Sequence, residues 1–142
     1  MDRFERVVEN ISQLGTSIFA MRRPGRKPIT RDPEYVILSV LTKQNLSISE
    51  IGRQLHRSKP SMSVLIGRLI REGKVKRIPS KEDHRVTNIA ITRKGHRAVL
   101  ARRKDMKDRI QMIFSSLTDE DIDRIDSSLI ELNSIIARLR IE

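Results

Sequence analysis

The sequence predicts a mainly α-helical chain with one small β-hairpin, an α+β arrangement in which long helices at the two ends flank a compact central lobe. Three observations carry this. Apolar residues recur at helical spacing near both termini; short segments with strong capping signals occupy the middle; and two short β-type runs follow them, separated by a polar turn.

At 142 residues the chain has the size of one domain. We expect residues 1–21 and 93–142 to supply the end helices and residues 32–92 the lobe. Lys and Arg number 29 against 18 Asp and Glu, a net charge of +11 that favours a polyanionic partner. Residues 53–109 hold 18 basic and 5 acidic side chains, whereas residues 110–142 hold 3 and 7. The polyanion should therefore meet the middle of the chain and not its end. No apolar run approaches the ~20 residues of a membrane span, and the opening MDRFERVVEN is not a signal peptide, so the expected location is cytoplasmic with no membrane partner. With no cysteine, disulfides and thiolate metal sites are excluded. With three Phe, one Tyr and no Trp, a stacking surface for single-stranded RNA is poorly supplied.

The first element places Phe4, Val7, Ile11, Leu14 and Ile18 at alternating spacings of 3 and 4, one face of an amphipathic helix. Next, RDPEYVILSVLTKQN opens a helix with Asp32 as N-cap and Pro33 at the first position. In SISEIGRQL, Ser47 and Glu50 have the spacing of a capping box, and Ile48, Ile51 and Leu55 face inward. SKPSMSVLIGRLIREG then gives a helix over 59–72, capped by Ser58 and stopped by Gly73 as a left-handed residue. Two short helices joined by a turn make a helix-turn-helix. KVKRIPSK and RVTNIAI follow as strands, with Val75, Ile78, Val86, Ile89 and Ile91 as apolar contributors, and the hairpin turns this unit into a winged helix-turn-helix.

Within the second helix, Met62, Leu65, Ile66 and Leu69 share the core side. Pro60, Ser61, Val64, Gly67, Arg68 and Arg71 share the other, a small and basic face able to lie deep in a major groove. Candidate double-stranded DNA contacts are therefore Ser58, Lys59, Pro60, Ser61, Val64, Arg68 and Arg71, joined by Arg77, Lys81 and Arg85 of a wing at 79–86.

After the hairpin, HRAVLARRKDMKDRIQMIFSSL reads as a long helix with Met106, Ile110, Ile113 and Leu117 on one face. Thr118 then caps a last helix whose Ile122, Ile125, Leu129, Leu132, Ile136 and Leu139 keep a heptad seam. Narrow seams at both ends of a small chain bury more surface against a second copy, so a homodimer is expected. Its interface would be Phe4, Val7, Ile11, Leu14, Ile110, Ile113, Leu117, Ile122, Ile125, Leu129, Leu132, Ile136 and Leu139.

The segment from Leu46 to Gly95 resembles the MarR family of dimeric winged-helix transcriptional regulators. SKPSMSVLIGRLIREGKVKR is similar to that family's recognition helix running into the wing, and DHRVTNIAITRKG fits its signature D-x-R, five residues, L-T-x-x-G. Asp83, Arg85, Thr92 and Gly95 fall on the signature, with Ile91 in place of Leu. The resemblance implies dimerisation through the N-terminal and two C-terminal helices, Arg85 in a minor groove, and Thr92 as cap of the long helix. It also implies a small-molecule effector of unknown identity. Asp83 is expected to brace the wing, by pairing with Arg68 or Arg77 or by an Asx-type bond to the backbone. Val64 stands where relatives often carry a long polar or basic side chain.

Other readings of single motifs are weaker. MRRPGRKPITR, Met21 to Arg31, is basic and resembles a minor-groove AT-hook, with a plain linker as the simpler reading. His56, His84 and His96 lack the spacing of metal ligands, and Ser80, Asp83 and His84 lie in a hairpin without any catalytic signature, so neither a metal, a cofactor nor an enzyme activity is expected. A rival from another class is an architectural protein that binds DNA by charge alone.

Overall fold

The computed structural model describes residues 2–20 and 32–139; the basic segment that suggested an AT-hook lies outside them. In chain order the elements are α1 (Arg3–Ala20), α2 (Pro33–Leu41), α3 (Ile48–Gln54), α4 (Lys59–Arg71), β1 (Val75–Pro79), β2 (Thr87–Ile91), α5 (Arg93–Ile113) and α6 (Asp119–Ile136). The chain divides into two compact units, Met1–Met106 and Lys107–Glu142.

In the first unit the predicted caps are in place because each is a local bond. Asp32 accepts from the N–H of Tyr35, with Pro33 at the start of α2. Ser47 and Glu50 complete a reciprocal box at α3, with bonds of 2.8 and 3.2 Å. Ser58 Oγ accepts from Ser61 N–H at 3.3 Å. Gly73, at φ +73°, ends the helix-turn-helix: its N–H donates to Ile70 and that of Lys74 to Leu69, satisfying carbonyls that α4 leaves open.

The core of this unit is formed by Ile37, Leu38 and Leu41 of α2, Ile51 of α3, Met62, Ile66 and Leu69 of α4, Val75, Ile89 and Val99. Full burial of each such side chain contributes about 1.5–3 kcal/mol. β1 and β2 pair antiparallel with Val75 opposite Ile91 and Pro79 opposite Thr87. Leu46 adds a one-residue bridge to Ile89, with N–H···O distances of 3.3 and 2.7 Å, and so stitches the hairpin to the start of α3. Val86 departs from the expectation. It precedes β2 in the bent tip and is exposed, because the turn closes at its N–H and lifts it off the sheet.

In the second unit Thr118 caps α6 through a box with Asp121. The apolar period runs further than the helices do. Leu117 lies in the turn after α5, and Leu139 lies beyond α6. A new cap at Thr118 requires the preceding residues to leave helical geometry, so the helix face cannot extend through Leu117. No residue of α6 is buried.

Candidate nucleic-acid interface

Helix α4 has two faces that share no residue. Met62, Ile66 and Leu69 are fully buried; Val64 is 72% exposed, Ser58, Lys59, Pro60, Arg68 and Arg71 are also exposed, and Ser61 is half-buried. The exposed face carries positive charge and short side chains, which suits close approach to base edges and phosphates.

The wing is an ordered turn. Ser80 is buried; its N–H donates to the Val86 carbonyl at 2.9 Å, and its hydroxyl accepts from the N–H groups of Glu82 and Asp83 at 3.3 and 3.5 Å. The Asp83 carbonyl takes the Val86 N–H at 2.9 Å and closes the tip. Asp83 Oδ1 accepts the Arg85 N–H at 3.0 Å and its Nε–H at 3.2 Å, with Oδ2 at 3.4 Å from Nη2. The backbone N–H of Arg85 first, and its guanidinium second, hold the Asp83 carboxyl below the usual carboxylate range. The Arg85 side chain is 92% exposed, so the guanidinium that pairs with Asp83 still faces solvent. Of the bracing modes expected for Asp83, the Asx-type bond is present; the ionic partner is Arg85 itself, and not Arg68 or Arg77. Two residues of separation in one turn suffice for that pair, whereas Arg68 is taken up elsewhere.

Arg68 and Lys74 sit between two carboxylates. Lys74 Nζ bonds Glu34 closely and reaches Glu72 at 2.9 Å, while Arg68 lies 3.6 Å from Glu34 and 3.7 Å from Glu72. The Glu34 bond raises the Lys74 pKa above the ordinary lysine value, and the Lys74 bond lowers that of Glu72. Glu72 is four residues from Arg68 on one helix and readable in the sequence; Glu34 comes from the first turn of α2 and is not. That same turn is tied to α5 through Asp32, 3.2 Å from Arg102, and through Tyr35, whose hydroxyl accepts from Arg103 at 3.3 Å.

Where wing, α4 and α5 meet, Thr92 does two jobs. Its hydroxyl donates to the Gly73 carbonyl at 2.6 Å and accepts the Gly95 N–H at 3.1 Å, capping α5 as expected. A Cβ at Gly95 would lie 2.2 Å from the Lys74 carbonyl oxygen and 2.6 Å from Ile91 Cγ1, so only glycine fits.

Arg77 and Lys81 are exposed on the hairpin. The expected interface residues remain uncovered or half-covered within the single chain: on α1, Phe4 and Ile11 are 67% and 64% exposed, and on α6 Leu129, Leu132 and Ile136 are all exposed. Ile110, Ile113 and Ile125 are half-buried. Among the described residues, no group of three or more His, Asp or Glu is arranged to hold a metal, and no helix is long and apolar enough to cross a membrane.

Comparison with known proteins agrees with this geometry. A model of the MarR family matches residues 28–86. The fold is similar to that of the transcriptional regulator BldR from Sulfolobus solfataricus, 18% identical with a TM-score of 0.73 over 98% of this chain and 100% of that one. The regulator Tm0710 from Thermotoga maritima is 26% identical with a TM-score of 0.62, covering 95% and 94%. FabT from Streptococcus pneumoniae, solved in complex with DNA, is 18% identical with a TM-score of 0.66, covering 96% and 99%. No curated protein matches the chain by sequence.

Proposed function

We propose that this chain, whose residues 28–86 match a model of the MarR family, is a dimeric, sequence-specific DNA-binding transcriptional regulator acting in the cytoplasm as a repressor. In this reading α4 enters the major groove with Ser61 and Val64 toward base edges and Ser58, Lys59 and Arg71 toward phosphates. The wing lays Arg85 in the neighbouring minor groove, with Arg77 and Lys81 on the backbone. A second copy covers the apolar faces of α1, α5 and α6, and two recognition helices related by a two-fold axis read half-sites about 10 bp apart.

The observation that supports this best is the division of α4, whose Met62, Ile66 and Leu69 are completely buried, with Leu65 half-buried beside them, and whose opposite face is small, basic and open. The DNA complex of FabT, a protein of the same fold, supports it further. An effector acts on such a dimer by binding two spacings of its lobes with different affinity.

The net charge of +11 favours a second reading, an architectural protein that binds through charge with little sequence preference. Selection from random duplexes at physiological salt separates the two. An enriched inverted repeat is the result expected of the regulator; affinity that tracks salt alone, with no enriched motif, overturns it.

A further inference from the structure

The first turn of α2 holds a carboxylate that DNA-binding chemistry gives no reason to keep. Glu34 adds negative charge beside the recognition helix of a strongly basic lobe, and its side chain is only 14% exposed. It bonds Lys74 closely and stands 3.6 Å from Arg68. Glu72 closes the square from the other side, 2.9 Å from Lys74 and 3.7 Å from Arg68. Two cations and two carboxylates alternate among these four side chains.

The members come from three places in the chain. Arg68 and Glu72 belong to the last turn of α4 and its cap, Lys74 follows the left-handed Gly73, and Glu34 belongs to α2. The carbonyls at the end of α4 attract cations, yet both cations are shared with Glu34, which draws the end of the helix toward α2. Lys74 is mostly buried, with its side chain 20% exposed, and its own carbonyl and N–H lock the start of α5 and the end of α4. Any shift in the Glu34–Lys74 bond is therefore felt at both ends of the wing's base.

We propose that Glu34 is a positioning residue for DNA binding: it holds Lys74 and Arg68 so that they set the pitch of the recognition helix, and Arg68 serves that purpose instead of contacting DNA. The proposal rests on the reading of α4 as the DNA-facing helix. It also takes Arg68 out of the set of direct contacts that a helical wheel assigns to it.

Salt dependence tests this without relying on affinity alone. Each phosphate that a protein cation neutralises contributes about −0.9 to the slope of log K against log salt. The wild type, Arg68→Ala, Glu34→Gln and, as the reference contact, Arg71→Ala are titrated across a salt series. The probe is a duplex carrying the selected repeat, or a mixed-sequence duplex if none is selected. All measurements stay well below each variant's unfolding midpoint.

The expected result is that Arg68→Ala and Glu34→Gln each weaken binding, roughly threefold to tenfold for groups coupled in one network, while neither makes the slope shallower. Glu34→Gln steepens the slope if it releases a cation toward the DNA, which equally supports the proposal. A slope shallower by about 0.9 per bound subunit in Arg68→Ala makes Arg68 a phosphate ligand and overturns it. Tighter binding by Glu34→Gln with an unchanged slope also overturns it, since Glu34 would then act only by repulsion. If the wild type fails to bind DNA at all, the fault lies with the functional reading and not with Glu34.

Discussion

Asp83 grips Arg85 twice, at the backbone N–H 3.0 Å away and at the guanidinium 3.2 Å away, while the tip of that side chain remains in solvent. In the proposed reading the carboxylate repels phosphate beside Arg85, but it also fixes where the arginine starts. Asp83→Asn and Asp83→Ala should therefore weaken binding to the selected duplex, by about threefold or more, although both remove negative charge. Tighter binding measured by fluorescence anisotropy would reduce Asp83 to an ordinary turn residue.

The same pair has a pH signature. Because the folded carboxyl is lowered below its ordinary value of 3.8, the stabilisation is complete above that value and disappears as pH falls through the lowered one. DNA binding should thus show no titration from Asp83 between about pH 5 and 8. The backbone N–H is the larger cause, so a carboxyl NMR titration of Arg85→Ala should still find Asp83 low. A return to the ordinary value would assign the effect to the guanidinium.

Removing Arg85 tests the wing itself. Arg85→Ala should cost roughly 1–3 kcal/mol of DNA binding and leave self-association unchanged. Equal affinity in that variant removes the wing from the interface, and sedimentation run beside the binding assay checks the second half.

Gly95→Ala should destabilise the fold by roughly 1–3 kcal/mol, since its Cβ meets the Lys74 carbonyl, a backbone atom that cannot swing aside. Thr92→Val should cost roughly 0.5–2 kcal/mol through the lost cap bond. Thermal unfolding reads both; an unchanged midpoint in Gly95→Ala would mean that the junction is looser than its distances.

The exposed seam of α6 predicts association. Leu132→Asp with Ile136→Asp should yield a monomer by analytical ultracentrifugation and lower DNA affinity with it, because a monomer holds one half-site. A dimer that persists in this double variant moves the interface elsewhere.

Features governed by neighbours in sequence were legible. The caps at Asp32, Ser47, Ser58 and Thr118, the left-handed stop at Gly73 and the buried row of α4 all depend on spacings of two to four residues, whereas the Thr92 cap was implied only by the family resemblance. Periodicity alone overran the ends of α5 and α6, because Leu117 and Leu139 keep the apolar rhythm where the backbone has already turned. Pairings between distant segments left no trace: the Leu46–Ile89 bridge is a single residue long, and Glu34 meets Lys74 forty residues away. The Arg68–Glu34 pairing at 3.6 Å is of the same kind, since a helical wheel shows which way a side chain points but not which distant residue comes beside it.

The two faces of α4 have a consequence for inheritance. Met62, Ile66 and Leu69 hold the helix in the core, whereas Val64 stands open to solvent and, unlike Ser58, caps nothing. In the proposed reading, replacements at the open positions change which address on a chromosome is recognised while the scaffold persists. On that reading, a lineage of such chains acquires new target genes through a few surface substitutions, without first surviving an unstable intermediate.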